Sequence, residues 1–329
     1  MKTIELIVPC HNEESCVWLF YDSVKKVFRS IKDFEFIITY VDDGSQDNTL
    51  NEIKKVVERA DEGKVQYVSL SRNFGKESAM YAGLSKSTGD YVAVMDADLQ
   101  HPPELLPKMI DAIEREGYDC ASARRISRKG EPLVRSTLSR AFYHFINQVT
   151  VIDLVPGSTD YRLMTRKVVE SIVALTEKER FTKGIYAWVG YKNKWIEYEN
   201  VERAAGKTKW NILGLFHYAY SGFLAFATTP LRGVIYFGMI IVLMALAYAI
   251  YIIIQAWHTP GSMRNGFSTL LVVMLFLGGV IITILGMIGE YMARIYMEVK
   301  NRPIYFERES NIDTVQSEEV DTESEHVRR

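Results

Sequence analysis

The chain has 329 residues, of which 48% are apolar, with 39 Lys+Arg set against 41 Asp+Glu. That length suits one large α/β domain with appended elements or two ordinary domains, and the balanced charge excludes the global basic footprint of a nucleic-acid-binding protein. Three cysteines, Cys10, Cys16 and Cys120, are odd in number and lack CxxC spacing, so they exclude a disulfide framework or zinc site and read as small buried hydrophobes.

The N-terminal run MKTIELIVPC is a short apolar strand interrupted by Glu5. It is too short and too early broken for a signal-peptide core, so the N-terminal domain is expected in the cytoplasm. From Thr3 to about Tyr198 short apolar runs alternate with amphipathic stretches. IELIVP, FEFIITYVDD, VQYVSLS and DYVAVMDAD are rich in β-branched residues and bounded by polar turns, which predicts buried parallel strands. Residues 14–30, 49–59, 77–85 and 103–116 show helical spacing, with Asn12 a candidate N-cap for the first. This α/β alternation predicts a doubly wound, Rossmann-like sheet, whose ligands sit at the carboxyl ends of the strands. Those ends carry Asn12-Glu13, Asp42-Asp43, Arg72-Asn73 and Asp96-Ala97-Asp98.

Beyond the α/β region, residues 207–232 place Trp210, Leu213, Phe216, Tyr220, Phe223 and Leu224 at three- and four-residue spacings. That periodicity predicts amphipathic helices in a membrane interface. Residues 233–257 and 266–289 contain no Asp, Glu, Lys or Arg, and each exceeds the roughly 20 residues needed to cross a bilayer. Lys207, Lys209 and Arg232 precede the first span, Arg294, Lys300 and Arg302 follow the second, and only Arg264 lies between. Positive-inside counting therefore predicts a multi-pass protein of the cell membrane with both ends cytoplasmic. The tail, residues 290–329, ends in the acidic DTVQSEEVDTESEHVRR and is expected to be disordered after Glu307.

The residues fit for chemistry lie before residue 207. In an extended chain residues i and i+2 point the same way, so Asp96 and Asp98 can converge on one hard cation while Gln100 adds an oxygen. Such oxygen sets suit Mg²⁺ or Mn²⁺ shared with substrate phosphates.

VPCHNEE, VDDGSQDNT, SRNFGKE, DADLQHPPE and RFTKGIYAWVGY, in this order, resemble family 2 glycosyltransferases of the GT-A fold. The closer resemblance is to the polyprenyl-phosphate branch, which holds dolichyl-phosphate mannose synthase and the bacterial undecaprenyl-phosphate (bactoprenol) glycosyltransferases. The ending GEYMARIYMEVKNRPIY is similar to the bacterial members.

The resemblance implies a GT-A domain at residues 1–206 and roles for individual residues. Pro9, Glu13 and Asp42 or Asp43 would hold the base and ribose of a nucleoside diphosphate sugar, and Arg72 and Lys76 would stand beside its pyrophosphate. Asp96, Asp98 and Gln100 would hold the metal on the diphosphate. Arg124, Arg135 and Ser139, with Arg162 and Arg203, would face the lipid phosphate, a group well matched by guanidinium forks. Asp160 in GSTDYRLM would act as a general base or orient the acceptor. Arg203 and Lys209 would belong to a closing segment, where Thr208 replaces the Ser of that branch.

The implied reaction is inverting transfer of one sugar, glucose or N-acetylglucosamine, from a UDP-sugar to undecaprenyl phosphate at the cytoplasmic face. The product would decorate a cell-wall polymer or O-antigen. A homo-oligomer, tetramer or dimer, is a further expectation. A processive polysaccharide synthase would carry a QxxRW motif and more spans, and a non-catalytic scaffold would have lost the acidic pair; this sequence fits neither.

Overall fold

The computed structural model describes residues 1–126, 147, 154–199, 229–258 and 266–312. Among the described residues eight strands form one mixed sheet: β1 (Lys2–Cys10), β2 (Phe34–Asp42), β3 (Lys64–Leu70), β4 (Tyr91–Val94), β5 (Cys120–Arg125), β6 (Ser158–Thr165), β7 (Asn193–Tyr198) and β8 (Glu307–Ser310). Their order is β7-β5-β6-β4-β1-β2-β3-β8. The β4-β1-β2-β3 block is parallel, as its β-branched runs imply, whereas β6 and β8 pair antiparallel with their neighbours.

Alternation along β1 builds both halves of the core. Ile4, Leu6 and Val8 face α1 (Val17–Phe28), α2 (Thr49–Arg59) and α4 (Leu106–Glu114), while Ile7 faces α3 (Lys76–Lys86) and α5 (Arg166–Val173). Glu5 is fully buried on the second side. Its carboxylate accepts hydrogen bonds from Thr39 Oγ1 (2.6 Å), Gln66 Nε2 (3.2 Å), Thr88 N (2.8 Å) and Gly89 N (3.0 Å), so three strands and the turn before β4 share one acceptor. A buried carboxylate survives only when paired in this way.

Several expected boundaries move. The first helix starts at Val17 with Cys16 as its N-cap residue, and Asn12 instead sits at φ 53° with its side chain accepting from Gln46 N. β4 ends at Val94, and a turn at Ala97 and Asp98 followed by Leu99 at φ 57° replaces the extended path expected through Asp98. The tail is ordered past Glu307: β8 closes the β3 edge. An unpaired edge strand exposes a row of backbone donors and acceptors, and four tail residues satisfy them.

After α6 (Thr182–Trp188), two long apolar helices follow, α7 (Thr229–His258) and α8 (Gly266–Val299). Among the described residues one stretch, Phe276–Val299, is long and apolar enough to cross a membrane, with a shorter apolar stretch at Tyr236–Tyr248. α8 runs ten residues beyond the expected end of the second span at 289. Most of the expected interfacial segment 207–232, the loop carrying Arg264 and the tail beyond 312 lie outside the described residues.

Candidate active site

The carboxyl ends of β1, β2, β3 and β4 bring their polar turns together, as a parallel block dictates. Asp42 is buried at the end of β2 and accepts from Ser45 N (3.0 Å) and Ser69 Oγ (2.9 Å). Asp43 follows and is 3% exposed; it accepts from Phe74 N (2.7 Å) and Gly75 N (2.9 Å) in the loop after β3. Burial raises the Asp43 carboxyl above its usual range, opposed by these two amides. Both acids therefore hold the turns that frame the site. Gly44 is required between them: at φ 60°, a Cβ there would lie 2.3 Å from the Arg72 carbonyl carbon and 2.6 Å from Asn73 N.

The loop after β3 is further fixed by His11, whose Nδ1 lies 2.9 Å from Asp43 O and whose Nε2 lies 2.9 Å from Asn73 Nδ2. Arg72 is exposed and lies with its guanidinium 4.0 Å from the Phe74 ring centroid. Pro9 and Glu13 stand at the β1 end, half-buried, with Glu13 N donating to Thr49 Oγ1 (2.8 Å).

Lys76, the first residue of α3, reaches across to two acids. Its Nζ lies 2.6 Å from Asp96 Oδ1 and 2.7 Å from Asp160 Oδ2. Burial works against charging each group, but the mutual attraction outweighs it: the Lys76 ammonium is held well above its usual range, and Lys76 with Lys183 holds Asp160 well below the carboxylate range. Asp160 is carried on β6, next to β4 in the sheet, which is why residues 64 apart in sequence share one cation.

Asp98 is buried in the turn after β4 and accepts from Gln100 N (3.1 Å). His101 follows, 8% exposed, with its Nδ1 unpaired and 3.9 Å from Asp96 Oδ2. No group of three or more His, Cys, Asp or Glu side chains poised to hold a metal occurs among the described residues. Two carboxylates and an amide oxygen nonetheless fit a hard divalent ion that completes its shell with substrate phosphates and water, as Mg²⁺ commonly does. The unpaired His101 nitrogen beside Asp96 marks the same turn as short of polar partners.

Of the expected acceptor residues, Arg124 and Arg162 lie among the described residues, on the paired strands β5 and β6. Arg124 lies within β5, donating to Pro156 O (3.2 Å) and lying 3.4 Å from Glu197 Oε1. Arg162 is not at the surface: it is 5% exposed, its guanidinium 3.3 Å from the Tyr186 ring centroid, and burial lowers its pKa. Two residues beyond Asp160 on β6, it shares the face of Asp160 and is covered by Tyr186. Arg135, Ser139, Arg203 and Lys209 lie outside the described residues. Sequence reading missed His101, although it directly follows Gln100, and missed Glu77, which accepts from Thr182 N (3.0 Å) and Thr182 Oγ1 at the start of α6.

Residues 5–173 match the family model described as glycosyl transferase family 2, and residues 229–295 match the one described as GtrB C-terminal hairpin. The Bacillus subtilis protein CsbB is 43% identical over 309 residues, covering 94% of this chain and 92% of that protein. The SfII prophage-derived bactoprenol glucosyl transferase of Shigella flexneri is 38% identical over 308 residues, with 94% and 98% covered. The prophage bactoprenol glucosyl transferase homolog of Escherichia coli (strain K12) is 37% identical over 302 residues, with 92% and 97% covered. The solved glucosyl-3-phosphoglycerate synthase of Mycobacterium tuberculosis overlaps 67% of this chain and 76% of that one at 19% identity, with a TM-score of 0.43. With a family model spanning half the chain and relatives this similar over nearly all of it, the chain belongs to glycosyl transferase family 2 and is a glycosyltransferase carrying a GtrB-type C-terminal hairpin.

Proposed function

We propose that the protein transfers a single hexose, glucose or N-acetylglucosamine, from a UDP-sugar to undecaprenyl phosphate, with inversion, at the cytoplasmic face of the cell membrane. Relatives named bactoprenol glucosyl transferase along almost the whole chain support the acceptor class. The observation that carries the reading is the Lys76 cation joining Asp96 and Asp160 at the carboxyl edge of the sheet.

In this reading a lipid-phosphate oxygen attacks the anomeric carbon, its bond to the UDP oxygen breaks, and UDP leaves from the opposite face. A phosphate oxygen is already a nucleophile, so no strong base is needed. Asp160, held ionised by Lys76, orients the acceptor or a donor hydroxyl. Lys76 and Arg72 place positive charge where the diphosphate develops its negative charge, and Arg124 faces the acceptor phosphate. Pro9 and Glu13 border the nucleoside end. Asp96, Asp98 and Gln100 would hold Mg²⁺ or Mn²⁺, which supplies charge neutralisation on the leaving diphosphate. Arg135, Ser139 and Arg203 complete the acceptor side. Arg162 supports this side from within, through Tyr186.

Residues 1–206 then form the cytoplasmic catalytic domain and 207–232 the interfacial segment. α7 and α8 form a two-helix membrane hairpin, with 290–329 returning to the cytoplasm, and assembly is as a dimer or tetramer. The product would be consumed in decorating a wall polymer or O-antigen.

The test is lipid-product formation by the purified full chain in detergent with undecaprenyl phosphate, Mg²⁺ or Mn²⁺ and labelled UDP-sugars. A chloroform-soluble labelled product names the sugar. No lipid product from any donor, with folded protein, would refute the acceptor assignment.

A further inference from the structure

The polypeptide leaving α8 returns at once to the catalytic domain and passes against the loop that presents Lys76. Lys178 N donates to Glu298 Oε1 (2.8 Å) and Arg294 pairs with Glu179, which fixes the end of α8 to the segment just before α6. Tyr305 then packs on Tyr81 of α3 with ring centroids 6.3 Å apart, its hydroxyl 3.2 Å from Ser85 Oγ. Phe306 O accepts from Ser71 N (2.9 Å), and the Phe306 ring lies 6.4 Å from Phe74. Glu307 pairs with Lys86 (2.5 Å) and Glu309 with Lys54 (2.8 Å), so charge as well as β8 pairing fixes the register. At the far end Asn311 Oδ1 accepts from Tyr67 N (2.6 Å).

We propose that residues 303–312 are a positioning segment for the donor side of the active site, with Phe306 setting the loop of Arg72 and Phe74 through which Lys76 is aimed. Phe74 is held from two directions: its amide is fixed by Asp43, and its ring stands between the Arg72 guanidinium and Phe306. Gly75 follows at φ 96° with no atom within 4 Å of where a Cβ would lie, so it is held through its backbone, by Asp43 and by the first turn of α3. Asp43 and His11 fix the loop backbone, and Phe306, 56% exposed, adds a contact to the Phe74 ring from the strap. The segment makes the membrane helix and the nucleotide pocket one mechanical unit. A strap serving only to cover an edge strand would need the β8 backbone pairing and not the Phe306 ring.

This inference rests on the donor-side role proposed above for Arg72 and Lys76, and its first readout is independent of that role. In the full-length protein in detergent, Phe306→Ala should speed amide hydrogen exchange at Phe74 and Gly75 about fivefold, the worth of one aromatic contact, with β1 and β2 amides unchanged. UDP affinity by calorimetry should weaken by a similar factor, and Phe306→Leu should restore much of both. Asn311→Ala, which loosens only the far end of the strap, should leave both at wild-type values. Unchanged exchange at Phe74 and Gly75 in Phe306→Ala overturns the proposal. So does faster exchange spread equally along β3, which would make the strap an edge cover. If exchange rises at the loop while the wild-type protein binds no UDP, the nucleotide reading fails and the positioning of the loop stands.

Discussion

Lys76 Nζ lies 2.7 Å from Asp160 Oδ2, joining the N-terminus of α3 to β6 across 84 residues of sequence. The same ammonium touches Asp96, so removing it would leave two acids facing each other with no cation between them. Lys76→Met should lower kcat/KM by about 10²-fold, the usual cost of one transition-state charge contact. Asp160→Asn should cost about as much. The double variant should fall well short of the product of the two single losses, since both delete one interaction. Steady-state kinetics on the four proteins checks this, and multiplicative losses would mean the two residues act independently.

Asp98 and Gln100 share the turn after β4, where the proposed ion would bind. Asp98→Ala should remove product formation to below about 1% of wild type, with the protein still folded by circular dichroism. EDTA should abolish wild-type turnover and added Mn²⁺ or Mg²⁺ should restore it. Activity that survives chelation would count against a metal at this turn.

Gly44 sits where the β2 turn meets the loop after β3. Gly44→Ala forces a side chain into 2.3 Å from backbone carbon at a positive φ, so the loop must move. The expected cost is about 1–3 kcal/mol, seen as a lower melting temperature together with weaker UDP binding. A variant with wild-type melting and UDP affinity would show that the two turns are not in contact.

Burial raises the thiols of Cys16 and Cys120 to about 11, and Cys10 rises as well. A raised thiol pKa lowers the thiolate fraction at any given pH, to roughly one in a thousand at pH 8 for a pKa of 11. All three cysteines should therefore resist alkylation at pH 8 in the folded protein and react promptly after denaturation, with the folded-state rate climbing as pH rises. Mass spectrometry of maleimide-treated protein gives the count.

The parallel block was legible because β-branched runs and 3.6-residue periodicity report local burial, and 49–59 coincides with α2. The acidic turns at strand ends were legible for the same reason: in a parallel sheet every carboxyl end emerges on one edge. Short-range sequence could not show the left-handed Asn12 and Leu99, which reroute both turns, because αL geometry is imposed by the hydrogen bonds that trap it. Composition alone made residues 308–312 look unstructured, since disorder is the default for a polar segment with no visible partner.

What the sequence determined by itself is the kind of chain this is: an α/β domain with acids at its strand ends, followed by apolar helices, since those follow from patterns within a few residues. What tertiary structure decided is which polar groups meet. Lys76 chooses Asp96 and Asp160, Asp43 chooses the amides of Phe74 and Gly75, and β8 chooses the β3 edge. The partners lie from 20 residues apart, for Lys76 and Asp96, to 242, for Val68 and Ser310, at distances set by strand order. A carboxylate or an exposed strand edge accepts any donor that packing delivers, so its partner is fixed only when the sheet has closed.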